Sequence, residues 1–320
     1  MRPSPAFADT ADYRRYAGDV AFWAPALETI LARHGRSAPS AVTQARPGVG
    51  STWPTFLIDG VVIKLFGHWA DWRAALAAER AALAALAATG EREMWRSATP
   101  PRLLAEGRLF DDPAAPWPYL VTTRVPGRSW DEAPPPPEMR PELAAALGRA
   151  VGRLHRLPAD GVIRADHWRP VPLADALARS SLPPRLAAQA PAYLGHLGPP
   201  DPVFTHGDLT ARHVFLEDGA LAGVIDWGDA MVADRHYELA KLHLDLFDGD
   251  RRLLGAFLDG AEWPVGPDFA ARALAGALTR QAIGLAQHPD SMDVFHKVPA
   301  MVDLDAIEAL DDLAQALFAP

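Results

Sequence analysis

Four consecutive prolines, Pro134 to Pro137 within DEAPPPPEMRP, divide this 320-residue chain into two parts of different character. Proline locks φ and has no backbone N–H. Such a run therefore fits neither a helix interior nor a central strand, and it reads as a boundary or rigid connector. Before it the pattern predicts strands. TFLIDGVVIKLF reads as two short strands about a turn at Asp59-Gly60, a strong hairpin signal. Further strands are expected near residues 100–105 and 119–125. VAFWAPALETILAR puts Val20, Trp23, Leu27, Ile30 and Leu31 on one helical face, residues 72–88 are built from strong helix formers, and residues 37–50 read as loop. After the prolines helix dominates. Leu143, Leu147, Val151 and Leu154 make one apolar stripe, and helices are expected over residues 236–247, 268–285 and 302–318. Two β-like runs, PVFTHGD and ALAGVIDW, interrupt them. The chain is long enough for two lobes with separate cores. The expected class is α+β, with a small strand-containing N-terminal lobe and a larger, mainly helical C-terminal lobe.

Composition narrows the chemistry. With no cysteine, disulfides, iron–sulfur clusters, thiolate zinc sites and cysteine nucleophiles are all excluded, as suits a reducing compartment. Asp9, Asp12 and Asp19 interrupt the region where a signal peptide needs an apolar run, and no apolar stretch reaches the length of a membrane span. A soluble, cytoplasmic protein without a membrane partner is expected. The formal net charge is −9, unevenly spread: residues 201–320 carry 21 acidic and 8 basic side chains. An acidic half disfavours nucleic acid as a partner and attracts a cationic small molecule.

The chemistry-bearing residues concentrate in VFTHGDLTARHVFLEDGALAGVIDWGDA, residues 203–230. An apolar run delivers His206-Gly207-Asp208. A turn containing His213 follows, and a hairpin turning at Asp218-Gly219 delivers Asp226 at its end. Two aspartates joined by a hairpin can converge on one cleft. Phosphoryl transfer needs such a pair: a carboxylate to orient an acceptor hydroxyl and take its proton, which suits Asp208, and an oxygen ligand for Mg²⁺, which suits Asp226. Lys64 sits among Val62, Ile63, Leu65 and Phe66, where a charge wants a partner. Glu79 on the following helix is a candidate, although edge-strand protection and a solvated helix residue explain the two as well. Gly48, Gly50, Ser51 and Thr52 precede the lysine strand and could turn backbone N–H groups toward phosphate, or simply make a turn. No GxxxxGK[ST] loop occurs.

Together HGDLTARHVF, the spaced VIDW and the DRHYELA tail resemble the aminoglycoside phosphotransferase family of kinase-like enzymes, including hygromycin phosphotransferase-like members. The resemblance runs from about Val42 to about Leu246. It implies a two-lobed protein-kinase-like fold, with residues 1–124 as a helical extension plus nucleotide lobe and residues 125–320 as the catalytic lobe. It implies ATP as donor, with GTP as the alternative, and a hydroxylated small-molecule acceptor such as an aminoglycoside. Gly48, Gly50, Ser51 and Thr52 would cover the nucleotide, and Lys64 would meet its phosphates and pair with Glu79. Thr122, Thr123, Arg124 and Val125 would form the adenine-binding connector. Asp208 would be the base, His206 its brace and Asp226 the Mg²⁺ ligand, with Asp234 and Glu238 supporting the site. One position departs: His213 stands where the family's HGDxxxxN carries its metal-binding asparagine. Imidazole suits Mn²⁺ better than Mg²⁺. His213 could ligate the metal, could only hydrogen-bond near it, or could mark a nucleotide-binding pseudokinase without turnover.

Overall fold

The computed structural model describes residues 5–36, 39–48, 52–67, 71–88, 99–158, 171–287 and 291–320. The chain separates into two compact units, Met1–Leu76 with Pro101–Val125, and Ala77–Pro100 with Pro126–Pro320. The first carries a sheet; the second is larger and mainly helical.

In the first unit, helices α1 (Thr10–Ala17), α2 (Val20–Arg33) and the short α3 (Pro39–Val42) precede strands β1 (Arg46–Pro47), β2 (Thr55–Ile58) and β3 (Val61–Leu65). Helix α4 (Trp72–Ala88) begins in this unit and continues into the other, and β4 (Leu103–Arg108) and β5 (Pro118–Thr123) complete an antiparallel sheet in the order β1-β2-β3-β5-β4. Helix α3 and strand β1 lie where the sequence reads as loop. Strand β4 starts three residues later than the sequence suggests. The β2–β3 turn has left-handed backbone at both central residues, Asp59 at φ 47° and Gly60 at φ 76°, which matches the strand twist of a two-residue hairpin. The apolar stripe of α2 buries Trp23, Leu27, Ile30 and Leu31 in a common core with Phe56, Ile58, Ile63, Leu65 and Val121. Trp23 and Trp117 pack with ring centroids 4.9 Å apart. Removing either ring costs about 3–5 kcal/mol.

Beyond its part of α4, the second unit holds β6 (Arg128–Ser129) and α5 (Arg140–Leu154), the helix predicted from the Leu143 stripe. Short helices α6 (Leu173–Leu177), α7 (Pro184–Ala187) and α8 (Ala190–His196) lead to β7 (Pro202–Thr205). Strands β8 (Val214–Glu217) and β9 (Ala220–Val224) form the expected hairpin, and β10 (Met231–Asp234) returns antiparallel to β7. Then come α9 (Tyr237–Lys241), a π turn over Leu242–Leu246, α10 (Arg251–Ala261) and α11 (Phe269–Gln287). Helix α10 packs on α5 so closely that a Cβ at Gly148 would lie 2.1 Å from the Phe257 carbonyl oxygen.

The chain ends with α12 (Val298–Met301) and α13 (Leu310–Phe318). Here the expected helix over residues 302–318 is cut short, beginning at Leu310. Asp303 accepts the Asp305 N–H at 3.1 Å, and the carbonyls of Leu304 and Asp305 are taken by Arg185 and that of Glu308 by Gln189. Side-chain donors recruited across the fold replace the helical ladder for these carbonyls.

Among the described residues, no helix is long and apolar enough to cross a membrane.

Candidate active site

Strand β7 ends at Thr205, and the next three residues, His206-Gly207-Asp208, turn away from the β7–β10 ladder. Gly207 has φ +82°, and a Cβ there would lie 2.5 Å from the Asp229 carbonyl oxygen. Only glycine meets both conditions without strain. Two carboxylate–backbone bonds hold this turn: Glu238, 1% exposed, accepts the His206 N–H at 2.7 Å and the Gly207 N–H at 3.2 Å.

His206 is fully buried. Its Nε2–H donates to the Ile225 carbonyl at 3.0 Å, and its Nδ1 accepts the Asp208 N–H at 3.2 Å. One neutral imidazole thus ties the Asp208 turn to the strand end that carries Asp226. Burial pushes its pKa below the usual histidine range, against the opposing field of Glu238. The Trp227 indole, also fully buried, packs 4.6 Å from the His206 ring and donates Nε1–H to the Val224 carbonyl.

The β8–β9 hairpin carries the second aspartate back. Asp218 and Gly219 turn it with φ 49° and 77°. Asp226 then adopts left-handed backbone, φ 66° and ψ 72°, a conformation costing a non-glycine residue about 1 kcal/mol or more and concentrated at functional sites. His213 lies between the two carboxylates. Its Nδ1 is 2.8 Å from the Asp208 carbonyl oxygen and 3.4 Å from Asp208 Oδ2, while its Nε2 is 3.4 Å from Asp226 Oδ2. A carbonyl only accepts, so Nδ1 carries the proton it donates. The Asp208 and Asp226 side chains are 22% and 40% exposed, so both reach solvent.

Three further charges surround Asp208, and the sequence reading missed them. Arg280 of α11, 3% exposed, donates Nε–H to the Gly207 carbonyl at 2.9 Å, and its Nη2 lies 3.3 Å from Asp208 Oδ1 and 3.0 Å from Asp229 Oδ2. Lys241 is buried. Burial alone would raise the Asp208 carboxyl; His213, Lys241 and Arg280 outweigh it and hold Asp208 below the ordinary carboxylate range. Asp229 goes the other way: burial lifts it to about 6, only partly countered by Arg280. Arg280 was legible in principle, as a lone charge in the apolar run LAGALTRQAIGLA, the argument already applied to Lys64.

In the other unit, Lys64 is 8% exposed on β3, opposite Thr55 and Leu120, with its Nζ 5.4 Å from the Phe66 ring centre. Glu79 is buried on α4 and belongs to the helical unit. Gly48 donates its N–H to the Thr55 carbonyl, and the Thr52 carbonyl accepts the Tyr13 hydroxyl. Gly50 and Ser51 lie outside the described residues. Thr122 and Thr123 belong to β5, and the Thr123 and Arg124 N–H groups bond to the Arg102 and Gly60 carbonyls. Val125 is buried.

A sheet-bearing N-terminal lobe, a larger helical lobe and a catalytic-type turn joined by one hairpin to a left-handed aspartate define a bilobed kinase-like fold. The chain belongs to the phosphotransferase enzyme family, whose family model matches residues 59–275. A 43-residue stretch is 46% identical to an aminoglycoside 3'-phosphotransferase of Escherichia coli, spanning 13% of this chain and 16% of that protein. Solved structures share the fold. A macrolide 2'-phosphotransferase from Brachybacterium faecium aligns at TM-score 0.55 and 21% identity over 93% of this chain and 99% of its own. An aminoglycoside phosphotransferase from Streptomyces rimosus, solved with ADP and streptomycin, aligns at 0.54 and 21% identity over 82% and 98%.

Proposed function

We propose that this chain is an ATP-dependent O-phosphotransferase that moves the γ-phosphoryl group to a hydroxyl of a small molecule. The observation that carries this reading is the Asp208–His213–Asp226 arrangement, in which two solvent-reaching carboxylates bracket one imidazole at the ends of a rigid hairpin.

In the proposed reaction the acceptor oxygen attacks the γ-phosphorus in line. A new O–P bond forms, the bond to the β–γ bridging oxygen breaks, ADP leaves, and the hydroxyl proton passes to Asp208. A carboxylate held below its ordinary pKa is a weak base. Its task is then to orient the hydroxyl and receive the proton late, so positioning supplies most of the effect. His206 and Glu238 would fix the turn that aims it. Lys64 would meet the donor's phosphates, with Glu79 as its partner, and residues 48–52 and 122–125 would contact the rest of the nucleotide.

Among the described residues, no group of three or more His, Asp or Glu side chains is arranged to hold a metal ion by itself. That fits Mg²⁺, which commonly takes one or two protein carboxylates and completes its shell with water and phosphate. Asp226 would hold it. When bound, Mg²⁺ neutralises phosphate charge. In its neutral form, with the Nδ1 proton donated to the Asp208 carbonyl, His213 would have its Nε2 on the Asp226 side and would join it as a ligand, a donor set that also admits Mn²⁺.

The proposed acceptor is cationic, an aminoglycoside or a hygromycin-like compound. The acidic excess of residues 201–320 supports this, as does the stretch shared with an aminoglycoside 3'-phosphotransferase. GTP is the alternative donor. ATP consumption with hygromycin B, streptomycin, kanamycin and erythromycin, in Mg²⁺ and in Mn²⁺, tests the reading by product mass. A product one phosphoryl group heavier, abolished by Asp208→Asn, is expected. Nucleotide binding with no product from any acceptor would favour the pseudokinase that His213 also allows.

A further inference from the structure

Helix α11 is buried along almost its whole length, and apart from Arg280, Gln281 and Gln287 its buried residues are apolar or glycine. A buried guanidinium is retained only where its donors are used. Arg280 spends its Nε and Nη2 donors on three groups of the Asp208 region, the carbonyl immediately before Asp208, the Asp208 carboxylate and the Asp229 carboxylate, while its buried Nη1 has no hydrogen-bond partner among the described residues. Its Cζ also stands 5.8 Å from the Tyr237 ring centre. Space is made for it one turn further along α11. A Cβ at Gly284 would lie 2.3 Å from Arg280 Nη1.

We propose that Arg280 is a positioning residue for phosphoryl transfer, clamping the turn that carries Asp208 to the loop that carries Asp229 and dividing the work of the two Asp208 oxygens. The inference rests on Asp208 being the proton acceptor. Arg280 engages Oδ1, whereas Oδ2 faces His213 Nδ1 at 3.4 Å. Since Nδ1–H already donates to the Asp208 carbonyl, Oδ2 is the oxygen left for the acceptor hydroxyl. The Nε bond to Gly207 fixes the backbone one residue upstream, so the carboxylate is held from both its own oxygen and its peptide. A pairing needed only to neutralise Asp229 would require neither contact.

The experiment measures ATP turnover with water as acceptor, which needs no acceptor to be identified, and transfer to any acceptor found. Arg280→Gln, Arg280→Lys and Asp208→Asn are compared with the Arg280→Gln/Asp208→Asn double variant. Arg280→Gln should lower kcat about 10- to 100-fold, the cost of misplacing a catalytic group by about 1 Å, with nucleotide KM within about twofold. Arg280→Lys should recover part of kcat. In the Asp208→Asn background the same change should cost less than about twofold, because it acts through a group already lost. Effects that multiply, or a kcat that Arg280→Gln leaves unchanged, would overturn the proposal. Should Asp208→Asn itself retain turnover, the base assignment fails instead. If Arg280→Gln does not fold, Arg280→Lys serves, since it keeps a buried cation but cannot make the Nε and Nη2 contacts together. A folded Arg280→Lys protein with full wild-type kcat would count equally against the clamp.

Discussion

Glu238 gives the most demanding test of how the Asp208 turn is built, because its role follows from geometry alone. Its carboxylate, 1% exposed, accepts the N–H groups of His206 and Gly207 at 2.7 and 3.2 Å. Both N–H groups belong to residues that leave the β7–β10 ladder, so they have no ladder partner. A hydrogen bond to a charged group is worth about 1.5–3 kcal/mol net, and an orphaned buried donor costs about 1–3 kcal/mol. Glu238→Gln keeps the shape and one acceptor oxygen but turns its NH₂ toward the second N–H, donor against donor. It should lose one charge-assisted bond and orphan one donor, together about 2.5–6 kcal/mol. Glu238→Ala orphans both donors and opens a cavity, so a larger loss is expected. Urea unfolding with the slope fitted freely measures the stability difference, and amide exchange at His206 and Gly207 localises it. A Glu238→Gln protein within about 0.5 kcal/mol of wild type, or unchanged exchange at those amides, would refute the reasoning.

The remaining predictions are narrower. Asp229 titrates at about 6 in the folded chain because burial penalises its charge. A folded value above the unfolded one means that its stabilising contribution is complete below about pH 4 and is lost as pH rises through about 6. With 30% of the side chain exposed, the effect is about 1 kcal/mol rather than the full two-unit value. Asp229→Asn should therefore gain on wild type by that amount between pH 4 and pH 7 in urea titrations; a pH-independent difference would contradict the assignment. Gly207→Ala must carry a Cβ at φ +82° and 2.5 Å from the Asp229 carbonyl, and should lower stability by about 2–4 kcal/mol. Wild-type thermal unfolding would show that the turn adapts freely. Lys64→Met keeps the apolar stem of a buried side chain, and should weaken ATP binding by calorimetry about 10-fold or more; unchanged affinity would remove Lys64 from the nucleotide site.

What the sequence settled alone is what neighbours along the chain decide. The Asp59-Gly60 and Asp218-Gly219 turns need only residues that tolerate left-handed backbone. The α2 stripe needs only a 3.6-residue repeat, and the order HGD, hairpin, aspartate fixes which carboxylates one hairpin joins. The tertiary structure decided what depends on groups distant in sequence. Arg280 reaches Asp208 across 72 residues and Glu238 reaches the His206 amide across 32, distances over which no periodicity carries information. The same holds for the expected helix at residues 302–309, where Arg185 and Gln189 take carbonyls that a helix would need. Local propensity proposes such elements, but a buried charge or carbonyl must be satisfied wherever the fold can supply a partner, and that requirement placed the residues around Asp208.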